Sequence, residues 1–219
     1  MNNLNRFIEH TNLKPTITGK DVDTLIKEAK EFGFVGACVP PFWVKRASRE
    51  IGDADVQLVT VIGFPLGYNM TETKVEEMKL AMRDGADELD LVMNVSAIKD
   101  GMPWPKIEFA KCSKLAHEEG KILKVIIETA YLNDDEIKIA CKLCADAGVD
   151  YVKTSTGFAG EGAKEDHVKL MRSVLPSSVG IKASGGIKTL DQTLALIKAG
   201  ADRIGTSSGV DIMQELKNN

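Results

Sequence analysis

Long hydrophobic runs, a strong excess of one charge and abundant cysteine are all missing from this chain of 219 residues. No apolar run approaches the roughly 18 residues needed to cross a bilayer, so we expect no membrane-spanning segment. The 28 basic and 32 acidic residues give a net charge of -4 and are interspersed, which leaves no basic stripe for nucleic acid. We therefore expect neither a membrane nor a nucleic acid as a partner.

Cysteine and histidine are scarce enough to argue against a disulfide scaffold and a metal centre. Four cysteines are too few for a disulfide framework, and with an N-terminus unlike a secretory signal they predict a cytoplasmic location. Cys141 and Cys144 have Cys-x-x-Cys spacing but share one face of a predicted helix, which favours buried thiols over a zinc or redox site. The three histidines lack metal-ligand spacing, and His117 and His167 lie in charged helical contexts typical of solvated positions. We expect no metal and no cofactor.

The chain does contain a recurring pattern of a helical stretch, a glycine and a short β-branched run. The pattern recurs five times, and each glycine is placed to end a helix in the left-handed conformation: Gly33, Gly85, Gly120, Gly148 and Gly200. Helix starts are indicated by pairs with capping-box spacing: Thr73 with Glu76, Asn133 with Glu136, and Thr189 with Gln192. These signals predict alternating helices and strands.

Eight strands are predicted, at 7–11, 35–39, 58–62, 88–93, 123–127, 151–154, 180–183 and 203–205. Strands that alternate with helices imply right-handed crossovers and a parallel sheet, and eight such units close a (β/α)8 TIM barrel. An open doubly wound sheet is the rival fold, but no glycine fingerprint follows the strand that ends at Val39. We predict an α/β barrel that occupies residues 1–219 as a single domain with a short N-terminal segment.

Four neighbouring predicted strands each carry one charged residue between apolar ones: Asp90, Lys124, Lys153 and Lys182. Removing an ion from water costs several kcal/mol, so four charges on buried strands need an explanation. One explanation is a structural ion-pair network, such as Asp90 with Lys124. The other is catalysis, since reacting groups of these barrels lie at the C-terminal ends of the strands.

The excess of lysine favours catalysis. If the ammonium groups of Lys153 and Lys182 approach to about 5 Å, their repulsion is roughly 3 kcal/mol and lowers an amine pKa by about two units. Only a neutral amine attacks a carbonyl, so a lysine beside a second cation is the arrangement expected for Schiff-base catalysis. Asp90 is then available to move protons through a water molecule. The residues alone do not select Lys153 over Lys182 as the nucleophile.

Glycine-rich segments with hydroxyl groups follow the last three predicted strands. Their candidate phosphate-binding residues are Gly157, Gly185, Gly186, Gly205, Ser207 and Ser208. Glycines allow backbone amides to approach an anion, and the loops after strands seven and eight are the usual phosphate site of these barrels. Glu128 is either a site residue or the partner of Lys124, and Cys38 is expected to be a buried small side chain.

The chain resembles the 2-deoxyribose-5-phosphate aldolase family of class I aldolases from about residue 8 to residue 213. The segments that carry the resemblance are 60–67, 123–129, 152–158, 182–187 and 203–209. The resemblance implies reversible cleavage of 2-deoxy-D-ribose 5-phosphate to D-glyceraldehyde 3-phosphate and acetaldehyde without a metal. It also implies that Lys153 forms the Schiff base, that Lys182 keeps Lys153 neutral and that Asp90 relays protons. The partners would be phosphosugars and aldehydes, with a homo-oligomer left open.

The chain departs from the family pattern at three places. Glu9 stands where the family commonly has aspartate, and Pro40 stands where it often has asparagine. Some members end in a tyrosine-bearing tail, whereas this sequence ends Lys217-Asn218-Asn219, so we expect proton abstraction to use Asp90, water or another group. Two alternatives to the aldolase remain: a phosphosugar isomerase or synthase that uses acid-base catalysis, and a phosphosugar-binding protein without turnover.

Overall fold

The computed structural model describes residues 3–218, which contain a closed barrel of parallel strands in the order β1 to β8. The strands are β1 (Ile8–Thr11), β2 (Gly36–Val39), β3 (Gln57–Ile62), β4 (Glu88–Val92), β5 (Ile122–Ile126), β6 (Tyr151–Lys153), β7 (Gly180–Ser184) and β8 (Arg203–Thr206). All eight predicted strands are confirmed, and each end differs by at most one residue. The predicted (β/α)8 barrel is therefore correct.

The helices are α1 (Gly19–Phe32), α2 (Val44–Ile51), α3 (Thr71–Arg83), α4 (Val95–Lys99), α5 (Trp104–Glu118), α6 (Asp134–Asp146), α7 (Glu165–Val174), α8 (Leu190–Ala199) and α9 (Gly209–Asn218). Short 3-10 helices occupy Leu4–Phe7, Pro41–Trp43 and Thr129–Tyr131. The first of these is the predicted N-terminal segment. Across residues 3–218, no helix combines the length and hydrophobicity that a bilayer crossing requires.

Helix ends follow most of the predicted signals. All five glycines of the recurring pattern have positive φ, including Gly33 at 63° and Gly200 at 116°, where a side chain would be strained. Asn133 and Thr189 form the predicted capping boxes at the starts of α6 and α8.

The predicted cap at Thr73 is wrong, because the N-cap of α3 is Met70, three residues earlier, and the helix begins at Thr71. The hydroxyl of Thr71 donates to Glu108 (2.8 Å) and accepts from the indole N–H of Trp104 (3.1 Å). Glu108 also forms a fully buried ion pair with Lys74 at 2.7 Å. These tertiary contacts with α5 hold the first turn of α3, so a local capping signal does not set its start.

The strand register places the charged residues on the inside of the barrel. Asp90 lies opposite Lys124 in the β4–β5 pair, and Lys153 lies opposite Lys182 in the β6–β7 pair. Because side chains alternate along a strand, the intervening apolar residues face the helices and form the main core. A smaller apolar cluster of Cys38, Val59 and Val61 is separate from that core.

Candidate active site

Seven ionisable side chains of both signs converge in the barrel, and six of them are at most 2% exposed. The residues are Glu9 from β1, Glu88 and Asp90 from β4, Lys124 from β5, Lys153 from β6, Lys182 from β7 and Arg203 from β8. We call this set the charge cluster. Since water cannot solvate these ions, their contacts with one another must compensate for the loss of hydration.

Asp90 contacts all three lysines of the charge cluster. Its Oδ2 accepts hydrogen bonds from Nζ of Lys153 and Lys182, each at 2.7 Å, and its Oδ1 accepts from Nζ of Lys124 at 3.0 Å. Burial raises the pKa of Asp90, but the three positive charges lower it by more, so the pKa lies well below its usual value. Asp90 is therefore a carboxylate at neutral pH.

The three lysines differ in the number of carboxylates that they contact. Lys124 contacts Glu9, Glu88 and Asp90, whereas Lys182 contacts Glu9 and Asp90. Burial lowers the pKa of both amines, but these carboxylates raise it further, to well above the usual value for Lys124 and above it for Lys182. Both side chains are therefore ammonium ions.

Lys153 has Asp90 as its one carboxylate contact among residues 3–218. Burial lowers its pKa, the attraction of Asp90 raises it, and the repulsion of Lys182 lowers it again, with a net pKa below the usual value. Lys153 thus loses its proton more easily than either neighbour. The geometry thus distinguishes Lys153 from Lys182 by its fewer carboxylate contacts and lower pKa, a difference that the strand pattern alone left open.

The barrel contains more negative charge than the sequence analysis assumed. Glu9 and Glu88 join Asp90 inside it, and Arg203 lies 3.7 Å from Glu9 and 3.6 Å from Glu88. Three carboxylates thus face four cations, and the excess is one positive charge. Glu88 could have been found from its position two residues before Asp90, on the same face of β4.

A cavity of ≈ 300 Å³ opens above Lys153. It is lined by Lys153 and by five of the predicted phosphate-binding residues: Gly157, Gly185, Gly186, Gly205 and Ser207. Asp90 and Lys182 are fully buried and are not part of this lining. Lys153 is therefore the lysine of the charge cluster that a ligand in the cavity can reach.

Two of the predicted phosphate-binding residues have different surroundings from those expected. Ser208 is not part of the lining, and its amide N–H donates to the hydroxyl of Thr206 at 2.9 Å. Gly205 lines the cavity but also makes room for Lys182, because a Cβ there would lie 3.0 Å from Cε of Lys182. A side chain at this position would therefore press on the buried Lys182 and on Cβ of Ser184.

Two further cationic residues line the cavity, Lys14 and Lys188, and neither is among the site residues predicted from the sequence. Lys14 follows β1 by three residues, and Lys188 follows the glycine pair after β7. Both side chains bring positive charge to the same opening as Gly185, Gly186 and Ser207. Their positions after the C-terminal ends of strands were the signal that could have identified them.

Two of the departures from the family pattern are accommodated locally. Glu9 contacts both Lys124 and Lys182, and its register partners on β2 and β8 are Gly36 and Gly205, which leave space beside its longer side chain. Pro40 precedes the 3-10 helix at Pro41–Trp43, and its carbonyl accepts from Trp43 N–H at 2.9 Å. The third departure involves Asn219, which lies outside the described residues.

Most of the remaining expectations are confirmed. Cys38 is fully buried, and burial raises the pKa of its thiol to about 11. Cys141 and Cys144 are buried, unpaired thiols on α6. His117 is exposed and pairs with Asp150 at 2.9 Å.

Two candidates need correction. His167 is half-buried rather than solvated, and its Nδ1 is buried without a hydrogen-bond partner among the described residues. Glu128 is not the partner of Lys124, because its carboxylate accepts hydrogen bonds from Thr156 in the loop after β6. Within the part of the chain that the structure describes, no group of three or more His, Cys, Asp or Glu side chains is arranged to hold a metal.

The sequence and the barrel fold are similar to those of known aldolases. Residues 6–215 match the model of the DeoC/LacD family aldolases. The deoxyribose-phosphate aldolase of Thermococcus gammatolerans is 50% identical over 216 residues, which cover 97% of this chain and 96% of that protein. The enzyme of the same name from Thermococcus kodakarensis is 51% identical and covers 95% of each. The chain belongs to the DeoC/LacD aldolase family.

Solved structures agree with this assignment. An aldolase named QR15 superposes with a TM-score of 0.94 at 42% identity, over 100% of this chain and 97% of that one. A deoxyribose phosphate aldolase from Aeropyrum pernix, described as tetrameric, has a TM-score of 0.92 at 35% identity, over 98% of this chain and 91% of its own. The protein is an aldolase, and its fold is that of its relatives.

Proposed function

We propose that the protein cleaves 2-deoxy-D-ribose 5-phosphate reversibly to D-glyceraldehyde 3-phosphate and acetaldehyde through a Schiff base on Lys153. The relatives named deoxyribose-phosphate aldolase support this substrate. The observation that carries the mechanism is the contact of Lys153 with a single carboxylate, at the base of the cavity and beside the ammonium of Lys182. An amine with a lowered pKa is the nucleophile that imine formation needs.

In the cleavage direction, the neutral amine of Lys153 attacks the aldehyde carbon of the open-chain sugar, and loss of water gives a protonated imine. A base removes the proton of the hydroxyl on the third carbon, and the bond between the second and third carbons breaks. The electron pair of that bond forms a double bond between the first and second carbons while the π pair of the protonated imine moves to nitrogen, which leaves an enamine and free D-glyceraldehyde 3-phosphate. Protonation of the enamine carbon and hydrolysis then release acetaldehyde and restore the amine.

Asp90 and Lys182 have supporting roles in this mechanism. Lys182 keeps a positive charge beside Lys153 and so favours its neutral amine. The pKa of Asp90 is well below its usual value, so this side chain is a carboxylate at neutral pH. Its role is then to orient a water molecule that transfers the proton. This arrangement needs no tyrosine, metal or organic cofactor.

The phosphate is proposed to lie at the cavity wall formed by Gly157, Gly185, Gly186 and Ser207. Gly157, Gly185 and Gly186 have positive φ, which lets the backbone turn closely around an anion. Lys14 and Lys188 add positive charge at the same opening. Gly205 and Ser208 contribute less to phosphate binding. Gly205 makes room for Lys182, and the amide of Ser208 donates to the hydroxyl of Thr206.

Borohydride trapping tests the proposed nucleophile. The wild-type protein treated with acetaldehyde and borohydride is expected to carry a reduced two-carbon adduct on the peptide that contains Lys153, as read by mass spectrometry. Lys153→Leu abolishes both the adduct and cleavage of the phosphosugar, whereas Lys188→Leu, at the rim, retains the adduct. Folded wild-type protein without an adduct on Lys153 would favour an isomerase, a synthase or a binding protein without turnover.

We also propose that the protein is a homo-oligomer. A patch of large apolar side chains, each between 45% and 70% exposed, consists of Tyr68, Met70, Met102, Trp104 and Ile107. Its two segments adjoin, because Trp104 donates to Thr71, the residue after Met70. Aromatic and methionine side chains are enriched in protein interfaces, and the flanking Glu72–Lys111 ion pair offers both charges to a second copy. The tetrameric relative from Aeropyrum pernix supports this assembly.

Light scattering after size-exclusion chromatography tests the oligomer and its surface. The wild-type protein is expected to have at least twice the chain mass of 23.8 kDa, and Met70→Glu lowers the mass by breaking the patch. Phe42 is 84% exposed but lies outside the patch, so Phe42→Glu leaves the mass unchanged. A wild-type mass of one chain, or a loss of assembly in Phe42→Glu alone, would contradict the assignment.

We further propose a cytoplasmic location. All four cysteines are unpaired thiols, which is the usual state in a reducing compartment. Fractionation of the cells that produce the protein tests this location, and recovery from the secreted fraction would contradict it.

A further inference from the structure

Glu128 has an unusual backbone conformation next to the cavity. It follows β5 with φ of 51° and ψ of 72°, in the left-handed region, and among residues 3–218 it is the one non-glycine residue with positive φ. A side chain in this region is strained, and such residues persist where their surroundings hold them in place.

The carboxylate of Glu128 is buried and hydrogen-bonded to one residue across the barrel mouth. The side chain is 3% exposed, and its Oε2 accepts from the amide N–H of Thr156 at 3.0 Å and from the hydroxyl of the same residue. Thr156 Oγ1 in turn accepts from the amide N–H of Phe158 at 3.0 Å. Glu128 thus fixes the conformation of the loop that follows Lys153.

This loop forms one wall of the cavity. Thr156, Gly157 and Phe158 all line it, together with Lys153. Phe158 also packs edge-on against Phe64, in the loop after β3, with ring centroids 5.1 Å apart. The bonds from Glu128 therefore set the position of a wall that a phosphosugar contacts when its aldehyde carbon reaches Lys153.

We propose that Glu128 is a positioning residue that holds the Thr156–Phe158 wall in the shape required to bind the phosphosugar. Glu128 acts through Thr156, and its carboxylate forms no ion pair with Lys153 or with the other lysines of the charge cluster. The inference rests on the proposed function. Glu128 controls the affinity for the phosphorylated substrate and leaves the reactivity of Lys153 unchanged.

Steady-state kinetics and borohydride trapping together test this role. In Glu128→Ala, the loss of a carboxylate that accepts two hydrogen bonds raises KM for 2-deoxy-D-ribose 5-phosphate about tenfold or more. The trapping of Lys153 with acetaldehyde, which carries no phosphate, proceeds as in the wild type. Glu128→Gln keeps an oxygen in the same place and restores most of the affinity.

Two further variants separate positioning from general stability. Glu136→Ala removes another glutamate that accepts a backbone N–H, at the start of α6 and away from the cavity, so it lowers the melting temperature and leaves KM unchanged. Thr156→Val raises KM, and the double variant Glu128→Ala/Thr156→Val raises it by less than the product of the two single effects, because both changes remove the contact between the Glu128 carboxylate and the Thr156 hydroxyl.

The outcomes distinguish failure of this inference from failure of the proposed function. An unchanged KM in folded Glu128→Ala overturns the role of Glu128 while the aldolase stands. Equal losses of substrate affinity and of acetaldehyde trapping do the same. A wild-type protein that neither cleaves the phosphosugar nor forms the Lys153 adduct overturns the proposed function itself.

Discussion

Lys153, Lys182 and Lys124 are chemically identical side chains on consecutive strands, and the number of nearby carboxylates separates their behaviour. Lys124 contacts three carboxylates, Lys182 two and Lys153 one. Each carboxylate favours the ammonium form, so the least compensated amine is the most easily deprotonated. At the scale of the residue, the lysine with the fewest carboxylate contacts, Lys153, is also the one that lines the cavity.

Removing the charge of Lys182 is expected to make Lys153 harder to deprotonate. In Lys182→Leu, the repulsion on Lys153 disappears and Asp90 attracts it more strongly, so the pKa of Lys153 rises. The acidic limb of the pH profile for adduct formation with acetaldehyde moves to higher pH by the same amount. Trapping at a series of pH values measures this shift.

Lys182→Arg is the matched control, because arginine keeps the positive charge. Its pH profile is expected to stay close to that of the wild type, with circular dichroism to verify the fold of both variants. An unchanged profile in Lys182→Leu would show that Lys182 does not tune Lys153.

At the scale of the element, helices α3 and α6 start for different reasons. The Asn133 side chain caps α6 by accepting from the amide N–H of Glu136 at 2.9 Å, and the Glu136 carboxylate accepts from the amide N–H of Asn133 at 2.8 Å. Helix α3 has no side-chain cap, and its first turn is held by Thr71, Lys74 and Glu108 instead. A local signal thus determines one start, and a buried tertiary contact determines the other.

Two alanine substitutions test this contrast. Asn133→Ala is expected to lower the free energy of unfolding by about 1 kcal/mol, because it leaves amides of the first turn without a partner. Thr73→Ala is expected to change it by less than about 0.5 kcal/mol, since Thr73 is exposed and caps nothing. Urea unfolding of both variants measures the difference, and equal losses would argue against the assigned start of α3.

At the scale of the whole molecule, the charge cluster joins β1 to β4, β5, β7 and β8 across the inside of the barrel. Salt bridges connect Glu9 with Lys124, Lys182 and Arg203. The cluster fills space that an apolar core would otherwise occupy, so its protonation state bears on the stability of the closed barrel. We propose that the barrel is a single cooperative domain over residues 1–219, which one urea transition seen by both fluorescence and circular dichroism would support.

Acid is expected to destabilise the protein through Asp90 and Glu9. Burial raises the pKa of both carboxyl groups, but the nearby lysines lower it by more. Both groups therefore have a lower pKa in the folded state than in the unfolded chain. Just below the unfolded-state pKa of about 4, the unfolded chain binds more protons than the folded one, so stability falls as the pH decreases through this range. Urea midpoints between pH 5 and pH 3 measure the loss.

Asp90→Asn lowers stability at neutral pH, since three ammonium groups lose their common partner, but it flattens the dependence on pH below about 4. Asp53→Asn, at an exposed residue outside the charge cluster, is expected to keep the wild-type slope. A wild-type slope in Asp90→Asn would mean that other groups cause the acid sensitivity.

The sequence by itself determined the barrel and most of its element boundaries. Gly33 and Gly200, the caps at Asn133 and Thr189, and the alternation around Asp90, Lys124, Lys153 and Lys182 are local signals. Each depends on backbone sterics or on period-two alternation, which act over a few residues. These signals sufficed for eight strands and for the charged residues on β4 to β7.

Only the tertiary structure decided how those charges are paired. Glu9 and Lys182 are 173 positions apart in the chain, and closure of the barrel between β1 and β8 brings them into contact. The same closure gives Lys153 a single carboxylate and brings Lys14 and Lys188 to one opening. A pKa depends on distances and burial in three dimensions, so no local pattern could show which lysine loses its proton most easily.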